Sequence, residues 1–171
     1  VDLDPHSATA HAVYATVLST QARHDEAYAE IKTAMELEPA SYYPRRWFAN
    51  SLYWARRYDE TIVEVKRLLE VNPSDISRHR WLVWSYENQG KYAEAFEALL
   101  GLLAAYKKDE EAVQHYKTVF KASGWPGVLV ELEKDDGLRF NSYRRASLNA
   151  GIGNKDRAFE YLEAAYAERD W

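Results

Sequence analysis

The side chains with the most chemistry to offer are five His, a run of Arg and an unusual aromatic load. His6, His11, His24, His79 and His115 are scattered along the chain. A metal ion needs convergent ligands, which a helix presents one turn apart, and no His pair or His-Glu-x-x-His motif has that spacing. The chain has no Cys, which excludes thiolate metal sites, disulfides and a Cys nucleophile. No Gly-rich phosphate loop is present, and Gly151-Ile152-Gly153 reads as the turn before a last helix. Glu131, Glu133, Asp135 and Asp136 form an acidic run, expected as a solvated helix end. Ser and Asp are plentiful, yet no spacing pairs a nucleophile with its base. The expectation is a protein that is not an enzyme and carries no cofactor and no metal.

Arg and Trp are more telling. The net charge of −5 is unevenly spread. Residues 1–40 carry two basic and seven acidic groups, residues 41–108 eleven and eight, and residues 109–171 nine and twelve. The positive middle third holds Arg45, Arg46, Arg56, Arg57, Arg78 and Arg80, together with four of the six Trp: Trp47, Trp54, Trp81 and Trp84. A weakly acidic chain is a poor general binder of nucleic acid, which draws its affinity from neutralised phosphates. A local Arg–Trp cluster suits recognition of protein instead, since these two residues dominate energetic anchors at interfaces.

The elements that must position these residues follow from an internal repeat. Leu3-Asp4-Pro5, Leu37-Glu38-Pro39 and Val71-Asn72-Pro73 are 34 residues apart, and so are Gly90 and Gly124. His24-Asp25-Glu26-Ala27, Tyr58-Asp59-Glu60-Thr61 and Tyr92-Ala93-Glu94-Ala95 keep the same step. Within a unit the apolar residues fall three and four apart, as in Trp47, Phe48, Leu52, Ile62, Val65 and Leu69, which is the stripe of a half-buried helix. Strand-like alternation is not sustained anywhere. Breaks at Ala22-Arg23-His24, Arg56-Arg57-Tyr58 and Gly90-Lys91-Tyr92 predict short turns between antiparallel helices. The Pro then ends each second helix. Neither helix buries its apolar face alone, so neighbouring pairs must stack.

In these features the chain resembles the tetratricopeptide repeat family. The first repeat supplies His11, Tyr14-Ala15, Leu18, Ala27, Ile31, Ala34 and Pro39. The second supplies Arg45, Phe48-Ala49, Leu52, Thr61, Val65, Leu68 and Pro73, and the third His79, Leu82-Val83, Tyr86, Ala95, Leu99 and Leu102, with Lys107 in place of Pro. Departures are His or Arg where the family favours Trp, and Thr61 at a usual Ala. The resemblance implies an all-α, right-handed α-solenoid of antiparallel helix pairs. Residues 1–5 match the end of a truncated upstream repeat, 6–108 three helix pairs, and 109–171 degenerate pairs of the same solenoid. There, Asp109–Ser123 is expected as a helix stopped by Gly124, followed by a helix to about Lys134, a turn at Asp135-Asp136-Gly137, and a helix over Phe140–Ala150. The end, Gly153 through Ala164-Ala165-Tyr166 to Glu168-Arg169-Asp170, is similar to the last repeat of bacterial tetratricopeptide regions fused to regulators, cyclases or kinases. That suggests a fragment of a larger bacterial protein.

In such arrays the first helix of each pair lines a concave groove. The resemblance implies that Tyr43, Arg46, Trp47, Asn50, Tyr53 and Trp54 of the second repeat, and Arg80, Trp81, Trp84 and Asn88 of the third, bind a protein partner. The first repeat offers only Thr9, Ala12, Val13, Thr16, Ser19 and Thr20. Trp47 and Trp81 share one repeat position, and wedging between neighbouring first helices stands as their alternative role. Trp54 and Trp84 are expected to be exposed. Arg46 and Asn50 match part of the carboxylate clamp of heat-shock co-chaperones, but Trp81, Glu111 and His115 break it, so chaperone-tail binding is not expected. A peptide or helix with acidic or carboxylate character is the expected partner, with no nucleic acid and no membrane. Small-molecule sensing and self-association through exposed repeat ends are the alternatives. A cytoplasmic location is expected, with the periplasm left open.

Overall fold

The 34-residue period is realised as three helix pairs of matching dimensions. The computed structural model describes residues 4–39 and 41–168. Residues 1–3 of the truncated-repeat motif and the closing Arg169-Asp170 lie outside these described residues. Contact patterns divide the chain into two units, Val1–Ala105 and Tyr106–Trp171.

In the first unit the helices are α1 (Ala8–Thr20), α2 (His24–Leu37), α3 (Tyr42–Trp54), α4 (Tyr58–Val71), α5 (Ile76–Asn88) and α6 (Tyr92–Ala105). First helices are 13 residues long and second helices 14. Each helix packs on the next, and α1 also packs on α3. The seams are lined by small side chains, with Ala15, Ala27, Ala34, Ala49 and Ala95 all buried, and by Ile31, Val65 and Leu99 between them.

Each intra-pair turn closes the same way. The amide of Arg23 donates to the carbonyl of Leu18 (3.0 Å), Arg57 to Leu52 (2.8 Å) and Lys91 to Tyr86 (3.0 Å). The residue before each donor has left-handed backbone, φ 57° at Ala22, 59° at Arg56 and 69° at Gly90. This is the Schellman motif, which caps the orphan carbonyls of the first helix and costs least with Gly at the left-handed position. The second helices stop at Glu38 and Asn72, one residue before Pro39 and Pro73.

The second unit contains α7 (Glu110–Lys134), a 3₁₀ turn (Asp136–Leu138), α8 (Ser142–Gly151) and α9 (Lys155–Glu168). α7 bends at Gly124, whose φ of 62° with ψ of −159° is open only to Gly, and Pro126 falls in the first turn beyond the bend. Trp125, Val128, Leu129 and Leu132 of α7 are buried, as are Leu138, Ala146 and Leu148. Asn141 caps α8 by accepting from the Arg144 amide at 2.9 Å. Gly153 closes the α8–α9 turn as a fourth Schellman motif, with Asn154 donating to Asn149 at 2.8 Å.

Of the acidic run only Asp136 is solvated as its composition suggests; Glu131, Glu133 and Asp135 are half-buried, and a cation meets each of the four carboxylates. Lys108 bonds both oxygens of Asp135 at 2.7 and 2.8 Å, and Tyr116 donates to Asp135 at 3.1 Å. Glu131 pairs with His115 and Lys134, Glu133 with Arg157, and Asp136 with Arg145. Burial, then the Asp135 charge, pushes the Tyr116 phenol far above its usual range. Lys134 is a neighbour on the same helix, but Lys108, His115 and Arg157 lie 16 or more residues away, which a charge run read alone does not reveal.

Candidate functional site

The residues expected to form the groove gather on α3 and α5 in two adjoining groups. The first is polar. Asp75 is the N-cap of α5, its Oδ1 accepting from the Arg78 amide at 3.2 Å while its Oδ2 accepts from the Tyr42 hydroxyl at 2.8 Å. The Arg78 guanidinium is only 2% exposed. It crosses to α3, donating to the Arg46 carbonyl at 3.2 Å and to Asn50 Oδ1 at 2.9 Å. Arg46 lies 3.8 Å from Asp75, with its guanidinium about 6 Å from the Tyr42 and Tyr43 ring centres. Tyr43, Arg46, Trp47 and Asn50 line one hollow of about 120 Å³.

The electrostatics follow from this geometry. Burial, and then the neighbouring Arg46 charge, lower the Arg78 pKa to about 10, so the guanidinium is still charged at neutral pH. Burial and the bond to Asp75 raise Tyr42 to about 12. Burial pushes Asp75 upward, but the Tyr42 hydroxyl, the Arg78 amide and the two guanidiniums outweigh it and hold the carboxyl below its usual value. Two guanidiniums thus face one carboxylate.

The second group is aromatic and centres on Tyr53. Its ring meets Trp81 edge-on at 4.4 Å, Trp54 at 5.5 Å, Tyr58 at 5.5 Å and Trp84 at 6.5 Å. Trp81 also meets Trp54 at 5.8 Å and Trp84 at 5.6 Å. Tilted and edge-on pairs of this kind add about 0.5–1.5 kcal/mol each beyond burial. Asn88 donates to the Tyr53 hydroxyl at 3.2 Å and to the Trp84 carbonyl at 2.8 Å. Trp54 remains 50% exposed, whereas Trp84, expected beside it at the surface, is half-buried in the cluster. Arg80 is half-buried on α5. Arg78 joins the two groups, its guanidinium 5.8 Å from the Trp81 ring.

Trp47 has a different setting. It packs against Ala8, Ala12 and Ala34 and reaches the cluster of Ala15, Leu18, Ala27 and Ile31. The small residues of the first repeat are therefore the seat of an indole from the second, while Tyr14 and Phe48 pack on the same core.

Two contributions escaped the sequence reading. Arg78 stands at a position taken by Ala10 in α1 and Pro44 in α3, so nothing in the periodicity marks it as a buried cation. The fourth residue of each first helix also makes a polar bond, across its pair in the first two and back to the preceding turn in the third. His11 bonds Glu30, Arg45 bonds the buried Glu64 at 3.1 Å, and His79 bonds the Pro73 carbonyl at 2.8 Å. Their 34-residue spacing was the available signal.

Among the described residues, no group of three or more His, Asp or Glu could hold a metal ion, and no helix is long and apolar enough to cross a membrane. Compared with known proteins, the chain matches no family model and no curated protein.

Proposed function

We propose that the chain is a tetratricopeptide-like, right-handed solenoid segment that serves as a protein–protein interaction module within a larger bacterial-type protein. The α3–α5 face receives an extended peptide or a helix. An apolar side chain of the partner covers Trp54, and an acidic group or C-terminal carboxylate lies against Arg46. The observation that carries this reading is Trp54, a half-exposed indole braced edge-on by Tyr53 and Trp81. A rigid aromatic needs little ordering on binding, and that economy is typical of interface anchors. The excess of guanidinium over carboxylate favours an anionic partner. A cytoplasmic setting suits a chain with no Cys.

Selection of a displayed peptide library on the immobilised chain tests this. Enriched peptides should combine an acidic group with a large apolar residue. Trp54→Ala should weaken their binding by about tenfold or more while leaving thermal stability nearly unchanged. Trp47→Ala should instead cost about 3 kcal/mol of stability, because it empties the seat on Ala8, Ala12 and Ala34. Failure to enrich any peptide, or loss of stability in Trp54→Ala matching its loss of binding, sinks the reading.

A further inference from the structure

The residues that precede the three first helices share one repeat position, and only the third is charged. They are Ser7, Ser41 and Asp75. Ser7 caps α1 by accepting from the Ala10 amide at 3.2 Å, and Asp75 caps α5 by accepting from the Arg78 amide at the same distance. Ser41 makes no such bond, since the matching residue of α3 is Pro44, which has no amide hydrogen. Capping a first helix of this repeat therefore takes one oxygen, and Ser supplies it about as well as Asp. The charge and the second oxygen of Asp75 are left over for another task.

That second oxygen is fixed in place. Oδ2 accepts from the Tyr42 hydroxyl at 2.8 Å while the cap holds Oδ1. Two guanidiniums approach Oδ2 without closing on it. Arg46 Nε stands 3.8 Å away and Arg78 Nε 4.0 Å away, and both nitrogens are buried with no hydrogen-bond acceptor. Arg57 behaves differently, gripping both oxygens of Glu60 at 2.6 Å. Glu60 is exposed and can turn to meet its Arg, whereas Asp75 is already held by α5 and Tyr42. Asp75 thus gives Arg46 a counter-charge but no bond. Arg78 is directed into the protein, toward Asn50 and the Arg46 carbonyl, which leaves Arg46 as the guanidinium lining the hollow with Tyr43, Trp47 and Asn50.

We infer that Asp75 sets the charge of the group this hollow accepts: a single negative charge, as on a carboxylate, is matched, and a doubly negative phosphate is disfavoured. The inference rests on the reading of this face as a surface for an anionic partner and deepens it. Two positive charges and one negative leave the Arg46–Arg78–Asp75 network a surplus of one. A carboxylate beside Arg46 cancels that surplus and supplies the acceptor that Asp75 cannot. A phosphate group carries about −1.5 to −2 near neutral pH, so its second charge meets no remaining cation of the network and is repelled by Asp75. Asp75 touches Arg46 and not the bound group, and so acts as a positioning residue with a say in specificity.

Nuclear magnetic resonance of the isotope-labelled chain tests this, following the Arg46 Nε–H signal during titration with sodium acetate and with sodium phosphate. The pH is slightly alkaline, where phosphate is mostly a dianion, and the ionic strength is constant. Arg46→Gln identifies the signal. Asp75→Asn removes the charge and keeps a capping oxygen, and Asp75→Ser copies the cap of α1 should the first variant unfold. The wild type should bind acetate at least as tightly as phosphate. Either Asp75 variant should shift the ratio of the two dissociation constants toward phosphate by about tenfold or more. If Asp75 only steadied the fold, its loss would lower stability and leave that ratio unchanged. An unchanged ratio, or a wild type that prefers phosphate, therefore overturns the inference alone. An Arg46 signal indifferent to both anions overturns it together with the anionic half of the peptide-binding reading, and selection of peptides on Trp54 then tests the other half separately.

Discussion

Where α3 places Pro44, Trp47 and Ser51 and α5 places Arg78, Trp81 and Ser85, α1 places Ala10, Val13 and Val17 at the same three positions of a helix of the same length. In the later helices these positions are buried or half-buried, and in α1 the two Val are about half exposed. The backbone frame is shared, and what differs is whether, among the described residues, another helix pair packs against it. Large or charged side chains become affordable at these positions only when a preceding pair supplies their partners. Arg78 needs Asn50 and the Arg46 carbonyl, and Trp47 needs Ala8, Ala12 and Ala34.

The sharpest way to break this comparison is at the buried cation. Arg78→Ala should lower the unfolding free energy by about 3 kcal/mol or more, since it empties a fully buried site and strips Asp75 and Asn50 of their partner. Ala10→Arg at the equivalent position of α1 should change stability by no more than about 0.5 kcal/mol, because the new side chain extends into solvent. Urea denaturation of both variants measures the contrast, and similar losses would mean that the position is equally constrained in both helices.

A smaller effect is expected at the turns. Ala22, Arg56 and Gly90 share one left-handed conformation, and only Gly adopts it without strain. Ala22→Gly and Arg56→Gly should each stabilise the chain by about 0.5–1 kcal/mol, and Gly90→Ala should destabilise it by a similar amount. Thermal melts in which the first two substitutions lower stability would show that the non-Gly residues make compensating contacts.

The smallest effect separates two equivalent pairs by pH. Glu30 accepts from His11 and raises the His11 pKa above 6.5, against the opposing pull of burial. The folded chain thus favours the protonated ring. Its contribution to stability is full below pH 6.5 and is lost as the pH rises through the raised value. Arg45–Glu64 occupies the same place in the second pair, with a guanidinium where the first has an imidazole. Midpoints of urea unfolding should therefore converge for wild type and His11→Gln as the pH rises above neutrality, while Arg45→Gln stays displaced by a constant amount. Parallel curves for both would rule out titration of His11 as the source.

The helical pairing was legible because the repeat prints itself three times, with Pro, small and apolar residues on a single step. Gly124 and Pro126 also announced the bend in α7. What stayed hidden depends on partners far apart in sequence. Gly90 marks the left-handed turn, but Ala22 and Arg56 disguise it in the other two pairs. The ten candidate groove residues were named from their repeat positions, and the geometry sorts nine of them by neighbours, with Arg80 in neither group. Tyr43, Arg46, Trp47 and Asn50 line one hollow, and Tyr53, Trp54, Trp81, Trp84 and Asn88 surround one aromatic centre. Arg78 could not be found by period at all, because a buried guanidinium is decided by the acceptors around it.

The three intra-pair turns of the first unit, 21–23, 55–57 and 89–91, have one uniform length, and that uniformity limits how the chain can change. Surface loops ordinarily absorb insertions and deletions. Here one residue more or less rotates the next helix by about 100° about its axis, swinging its apolar stripe away from the preceding helix. Sequence drift in this unit should therefore proceed by substitution or by whole 34-residue steps, and its turns should be as intolerant of length change as its core is of polar residues.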